Sequence, residues 1–318
     1  MFRFQRALLI ANPVARTVSP ATLAVIEKAL SADLKLDVLE TLERGHATEV
    51  AREAVEGGEV ELVIVFSGDG TINEVVNGLA GTDVALGVLP GGATNILVRA
   101  LGLPLDPVEA TGRLIEQALA GSTRRIALGR ADGRSFAINC GVGLDASAME
   151  RLDDEFPVTK RAYERAALSS VLRELFGHYA GREPDLSVNV DGTELSPAVS
   201  VMVGRTDPYT YYKEHRLHLT PMASLDRRLD VCSIRRFRRR RMPKMAWQVF
   251  RGGGHVNGPD VDYAPDSSRI VITAEEPFPV QVDGDAIGAR TSLEVEWMPG
   301  ALRVLSVPPI GSSGGPPE

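Results

Sequence analysis

Apolar residues fall into unbroken runs in the first third of the chain and into short, partly alternating pieces after it. The runs at 7–10 (ALLI), 62–66 (LVIVF) and 85–89 (ALGVL) have no polar face, which predicts strands buried on both sides. The first of these strands covers residues 6–11. Apolar positions with helical spacing predict helices at about 20–31, 47–57, 72–80 and, following Pro104, 107–120. Strands separated by helices imply βαβ units and a parallel sheet. Ligands of such sheets bind at the carboxyl ends of the strands. Three turns fall there: ANPVA, SGDGT and PGGATN.

After about residue 123 the texture changes. Strand-like pieces follow at 134–140, 186–190, 198–203, 229–234, 269–273 and 293–297, some separated by turn dipeptides such as Asp191-Gly192 and Asp283-Gly284. They predict an antiparallel β domain, a sandwich or barrel. Helical patterns at about 159–179 and 242–251 interrupt it. The reading is therefore α/β plus β: an α/β domain over 1–125, a β domain over 126–299, and a strand at about 300–307 returning to the first domain. The Pro/Gly/Ser-rich tail 308–318 is predicted to be disordered.

Composition narrows the partners. The 318 residues carry a formal net charge of −7, which argues against nucleic acid as a partner of the whole chain. Cys140 and Cys232 lack ligand-like spacing, fit a reducing compartment and read as small apolar residues. No run approaches the roughly 18–20 apolar residues of a membrane span. The apolar run after Arg3 and Arg6 is too short for a signal segment, so a cytoplasmic protein is expected. One stretch departs from the acidic background: RRFRRRRMPKMAWQVFR, 235–251. Basic residues beside Trp247 and Phe250 suit peripheral contact with an anionic membrane, at the inner surface; a solvated basic face over a core helix would use the same residues.

The chemistry is concentrated in Gly68-Asp69-Gly70-Thr71. Glycines let backbone N–H groups approach a phosphate, and the following helix adds its dipole. Asp69 could act through Mg²⁺ or on a hydroxyl. Thr71 either caps a helix beginning at Ile72 or donates to a phosphate. A plain strand–turn–helix connection would also use these residues. The second glycine loop at 90–95 and Asn12-Pro13 in the same layer favour a ligand site. The pattern is neither a P-loop nor a dinucleotide fingerprint. His46, His178, His215 and His218 show no metal spacing, and His255 reads as a structural residue.

In order along the chain, the blocks ANPVA, SGDGTINEVVNGL, LGVLPGGATNILVRALGLP, NCGVGLDA (139–146), DRRLDV (226–231), GGHV and DGD (283–285) resemble the diacylglycerol kinase catalytic-domain family, its bacterial lipid kinase branch in particular. The likeness runs from about residue 7 to 306. Departures from the family pattern are Ser67 and Ala93 for Gly, Ile96 for Asp, Arg227 for Gly, and Asp285 for Glu. The resemblance implies a three-layer α/β domain and a β-sandwich, with ATP between them and Mg²⁺ as cofactor. It implies that Asn12, Thr41, Ser67, Gly68, Asp69, Gly70, Thr71, Asn73 and Thr94 line the nucleotide. It also implies that Asp226, with the Ala223 and Arg228 carbonyls, holds a Mg²⁺ in the second domain. Asp285 aligns with the family's general base, one methylene shorter; either the acceptor lies closer to it, or Asp69, which positions Mg²⁺·ATP, carries more of that role.

The leading expectation is transfer of the ATP γ-phosphate to a lipid hydroxyl, most simply on diacylglycerol or a related glycerolipid. An NAD kinase-like or sphingoid-base kinase activity and a non-catalytic nucleotide-binding regulator are the alternatives. A homodimer is left open by the sequence. The apolar stripe Ala166, Ala167, Val171 and Leu175 is consistent with core packing or with an acyl groove.

Overall fold

The computed structural model describes residues 4–155 and 163–306. The predicted tail 308–318 and the first residues of the 159–179 helix lie outside the described residues. The chain divides into two compact units. One comprises residues 1–92, 101–126 and 300–318; the other comprises 93–100 and 127–299. The segment 93–100, assigned to the first domain on sequence, thus groups with the second unit.

The first unit is a parallel sheet with helices. Its elements are β1 (Arg6–Ala11), α1 (Pro20–Leu30), β2 (Lys35–Glu40), α2 (His46–Glu56), β3 (Leu62–Ser67), α3 (Asp69–Leu79) and β4 (Ala85–Pro90). Beyond α4 (Ile96–Ala100), α5 (Pro107–Ala120) completes it. The strand order is β4-β3-β1-β2, all parallel. β3 and β4 are buried at every position, as unbroken apolar runs require. Leu23, Ile26 and Leu30 of α1 and Leu114 and Ala118 of α5 pack with Leu9, Ile64, Phe66 and Leu89 of the sheet. Near the end of the chain, Arg303 and Val304 pair in parallel with Ala85 and Leu86 of β4, so a final strand segment does return to this sheet.

The sequence pattern misses β2. It is the edge strand, its residues are half-buried or exposed, and its charges alternate with Leu36, Val38 and Leu39. It has no buried run to announce it.

The second unit is antiparallel. β5 (Thr123–Ala131), β6 (Arg134–Phe136) and β7 (Asn139–Val142) precede α6 (Leu144–Glu155) and α7 (Tyr163–Glu174), the latter continuing as a π-helical turn over Leu175–Tyr179. Then come β8 (Ser187–Val190), β9 (Thr193–Glu194), β10 (Ser200–Gly204), the small pair β11 (Thr210–Tyr212) and β12 (His215–Leu217), and β13 (Leu229–Ile234). α8 (Met242–Phe250), β14 (Val261–Ser267), β15 (Arg269–Val282) and β16 (Asp285–Leu305) finish it. The sheet order is β14-β13-β10-β7-β15-β16, with β8 and β9 beyond β15. Val142, Val188, Val201, Val203, Val231, Ile272, Val280, Leu293 and Val295 form part of its core.

Two Asp-Gly dipeptides form the hairpin turns that their composition predicts. Asp191-Gly192 joins β8 to β9 and Asp283-Gly284 joins β15 to β16, each with positive φ at both residues. The pattern did not disclose α6. The stripe Ala166, Ala167 and Val171 packs against Ala148, Met149 and Leu152 of α6, which makes those three residues core.

Candidate active site

In the first unit the register places four loops at one edge. Ala11 pairs with Glu40 and with Phe66, Phe66 with Leu89, and Ser67 with Pro90. Asn12, Thr41, Gly68 and Gly91 therefore leave the carboxyl ends of neighbouring strands. The Asn12 side-chain amide donates to Thr71 Oγ1 at 3.0 Å, and its Oδ1 accepts from the Val14 N–H at 3.0 Å. The Thr41 N–H donates to the Ala11 carbonyl at 2.9 Å. Thr17 donates from its N–H to the Gly91 carbonyl and from its hydroxyl to the Pro90 carbonyl, each at 3.0 Å. A Cβ at Gly91 would lie 2.5 Å from Ser67 Cα, and one at Gly68 would lie 3.2 Å from Gly92 Cα. The two glycine loops touch backbone to backbone, a contact that side chains there would prevent.

The helix starts earlier than the pattern indicates. α3 begins at Asp69, with Gly68 as an extended N-cap, and its first bond runs from Ile72 N–H to the Gly68 carbonyl. Thr71 therefore lies inside the first turn and is not the cap. The N–H groups of Asp69, Gly70 and Thr71 precede the helical ladder and face the end where the dipole favours an anion. Gly68 to Thr71 are half-buried. Ser67 and Asn73 are buried, at 1% exposure each. The Ser67 hydroxyl has no hydrogen-bond partner, and Asn73 accepts from the Asn77 amide at its carbonyl and at Oδ1.

The rest of the NEVVNG block is structural. The Glu74 carboxylate accepts from the N–H groups of Gly45 at 2.9 Å and Ala47 at 3.2 Å, capping α2, which has no side-chain cap of its own. A Cβ at Gly78 would overlap Ala51, so the glycine sets the approach of α2 to α3. Thr94 falls in the segment grouped with the second unit; its carbonyl accepts from Arg99 Nε at 3.0 Å.

The second unit holds three carboxylates around the β15–β16 turn. Asp283 accepts from the N–H groups of Ala137, Ile138 and Asn139 at 2.9–3.0 Å. Asp285, just past the turn, is paired with Arg134 at 2.6 Å and keeps 19% of its side chain exposed. Asp145, at the start of α6, accepts from the Tyr209 hydroxyl and from Gln281 Nε2 at 2.6 Å. Gln281 also donates to Asn139 Oδ1 at 2.8 Å and accepts from the Gly284 N–H at 2.8 Å. It thus ties Asp145 to the turn that carries Asp285. Burial lifts the Asp145 pKa above its ordinary value, against the Tyr209 and Gln281 hydrogen bonds. Sequence reasoning did not single out Asp145, although NCGVGLDA contains it; Tyr209 and Gln281 left no signal.

The expected ion site does not fit its residues. Ala223 is buried and Asp226 exposed, and the Arg228 carbonyl accepts at 3.1 Å from the guanidinium of Arg205. Among the described residues no cluster of three His, Cys, Asp or Glu side chains could hold a metal. His218 pairs with Asp207 at 2.7 Å, and buried His255 lies with Nε2 3.7 Å from Cys232 Sγ. Both cysteines are buried and free; burial raises the Cys140 pKa and pushes that of Cys232 to about 12.

The basic run separates into two roles. Arg238 and Arg241 both bind Asp260, at 2.9 Å each, while Arg236 pairs with Glu183. Met242 is buried, and Met245 packs in the same cluster. Arg239, Arg240, Lys244 and Trp247 are exposed. Among the described residues no helix is long and apolar enough to cross a membrane.

Comparison with known proteins agrees with this architecture. Residues 6–131 match the diacylglycerol kinase catalytic domain, and residues 139–306 match the YegS C-terminal NAD kinase beta sandwich-like domain. The chain is 28% identical over 294 residues to a diacylglycerol kinase of Bacillus subtilis (strain 168), covering 88% of this chain and 90% of that protein. It is 27% identical over 298 residues to a diacylglycerol kinase of Staphylococcus carnosus (strain TM300), covering 88% and 89%. A solved structure of a diacylglycerol kinase from Bacillus anthracis str. Sterne shares the fold, with a TM-score of 0.71 at 23% identity over 97% of this chain and 99% of that chain. Fold and matches define a kinase built from an α/β unit and a β-sandwich unit. The chain belongs to the diacylglycerol kinase catalytic-domain family.

Proposed function

We propose that this kinase transfers the γ-phosphate of Mg²⁺·ATP to a lipid hydroxyl, with diacylglycerol or a related glycerolipid as acceptor. The observation that carries the reading is the meeting of the Gly68 and Gly91-Gly92 loops at the N-terminus of α3, beside Asn12. Backbone N–H groups and a helix dipole at a side-chain-free surface suit the phosphates of a nucleotide. Asn12, Thr41 and Thr71 supply polar groups for the rest of the nucleotide. Asp69, on the first turn of α3, orients Mg²⁺·ATP, the metal supplying charge neutralisation at the transferring phosphoryl group.

The general base in this reading is Asp285. The lipid oxygen attacks the γ-phosphorus, the bond to the ADP oxygen breaks, and the hydroxyl proton passes to an Asp285 carboxylate oxygen. Arg134 fixes that carboxylate in position. Replacing Asp285 by Asn should lower transfer by about 10²–10⁴-fold, the usual contribution of a general base, with ATP affinity unchanged. Turnover that survives in Asp285→Asn removes Asp285 from the role.

The acceptor is a membrane lipid, and we propose α8 as the contact with an anionic bilayer at the inner membrane surface. Trp247 and Phe250 are 60% and 42% exposed, beside the exposed Arg239, Arg240 and Lys244. Exposed aromatic side chains on α8, with exposed cations on it and just before it, suit an anionic lipid surface.

A further inference from the structure

The loop before β13 turns its carbonyl groups inward, onto a single cation that the chain itself provides. Arg205 follows β10 directly and is fully buried. Its Nη2 donates to the carbonyls of Ala127 and Leu225, both at 3.0 Å. Its Nη1 donates to the carbonyl of Arg228 at 3.1 Å, to that of Ser224 at 3.5 Å and to that of Arg227. Nε finds no acceptor. Five carbonyl oxygens from two segments thus surround one guanidinium. A Cβ at Gly204 would overlap the Thr220 side chain, so the end of β10 and the start of the loop are in contact where Arg205 enters.

We propose that Arg205 is the resident cation of this loop and stands in the place of a divalent ion, so that the second unit of this protein folds without a metal. Three observations carry this. First, one of the two carbonyls an ion would use is taken: the Arg228 oxygen already accepts from Nη1. Magnesium takes near-ideal octahedral oxygen coordination at about 2.0–2.1 Å, which oxygens aimed at a planar guanidinium do not offer. Second, an ion could enter only by expelling Arg205, which would leave a buried positive charge with no acceptors, or by sitting beside it as a second like charge. Third, the anions are balanced against the arginine. Burial disfavours the charged guanidinium, and the charges of Asp226 and Asp230 act in its favour. Asp230, fully buried, is held by the Tyr263 hydroxyl at 2.6 Å and the Asp266 N–H at 2.9 Å. Guanidinium is the less strongly hydrated of the two protein cations and presents a fixed fork of donors, which suits a dry ring of carbonyls.

The inference goes beyond the kinase reading and does not depend on it. It separates two demands for magnesium that a family comparison would merge. The nucleotide needs Mg²⁺ as part of the substrate; this loop does not.

The test uses the full chain without nucleotide. Wild-type protein is titrated with Mn²⁺ and followed by electron paramagnetic resonance, and melted in MgCl₂ and in EDTA at equal ionic strength. The expected result is a melting temperature that agrees between the two buffers to within about 1 °C, because an ion that binds the folded state would raise it. Any Mn²⁺ that does bind should be retained in Asp226→Asn. An ion that binds wild type, is lost in Asp226→Asn and raises the melting temperature by about 4 °C or more overturns the proposal. Arg205→Ala tests the same point from the other side. It should melt lower than wild type and regain part of the loss in MgCl₂, with the regain abolished by adding Asp226→Asn. An Arg205→Ala protein that melts as wild type does overturns the proposal as well. If that variant does not fold, the wild-type titration decides alone.

Discussion

At the scale of single residues, the late Asp-Gly-Asp shows how one short motif divides its work. Asp283 is a structural acid that gathers three backbone N–H groups, and Asp285, two positions on, is turned to Arg134. The sequence reveals the hairpin, because Asp-Gly supplies the two left-handed residues that a two-residue turn needs. It does not reveal the anchoring, since the partners lie about 145 residues upstream. Removing the Asp283 carboxylate leaves three buried donors unmet. Asp283→Ala should therefore cost about 2–4 kcal/mol in urea unfolding, the usual scale for unsatisfied buried groups. A loss below about 0.5 kcal/mol would contradict that role.

Asp145 gives a prediction in pH. Its folded pKa is raised, so over the window between the ordinary value of 3.8 and the raised value the folded state holds a proton that the unfolded chain has released. Its contribution to stability is present below that window and is lost as pH rises through it. Asp145→Asn removes the titration. The variant should gain stability relative to wild type at neutral pH, with the gap closing towards pH 3.8 in urea midpoints taken across the range. A variant less stable than wild type by the same amount at every pH would show that the hydrogen bonds, not the charge, dominate.

At the scale of elements, the legible parts are those that a buried environment writes directly. β1, β3 and β4 are unbroken apolar runs because both their faces are covered. β2 escapes notice because an edge strand tolerates charge, and α6 because its buried alanines, with Met149 and Leu152, are interspersed with acids. The start of α3 is misplaced by three residues for a related reason. Gly68-Asp69-Gly70 reads as a turn on propensity, whereas packing extends the helix through it. For α8 the structure sharpens a sequence reading. The basic run looks uniform, but Arg238 and Arg241, themselves exposed, pair with buried Asp260, and Arg239, Arg240 and Lys244 are exposed beside them. Changing those three to Gln should weaken binding to phosphatidylglycerol vesicles by about 10²-fold, at roughly 1 kcal/mol per charge. The same change at Arg238 and Arg241 should instead lower the melting temperature. Vesicle affinity that is unmoved by the triple change would remove α8 from the membrane.

At the scale of the whole molecule, the division of labour follows the two kinds of sheet. Parallel strands bring Asn12, Thr41, Gly68 and Gly91 to one edge although some 80 residues separate the first from the last, and the order of the motifs along the chain makes this arrangement readable beforehand. The antiparallel unit joins Asn139, Asp145 and Gln281 through side chains with no fixed spacing, and joins Arg205 to a loop some 20 residues away; these contacts arise only in the folded chain. The central claim is phosphoryl transfer to a glycerolipid hydroxyl. It is tested most directly by following labelled γ-phosphate from Mg²⁺·ATP into mixed micelles of diacylglycerol, monoacylglycerol, ceramide or sphingosine, with NAD in parallel. The account predicts a labelled lipid phosphate, formed fastest from diacylglycerol or its monoacyl relative. Label recovered in NAD phosphate alone, or in no acceptor while ATP remains bound, would contradict it.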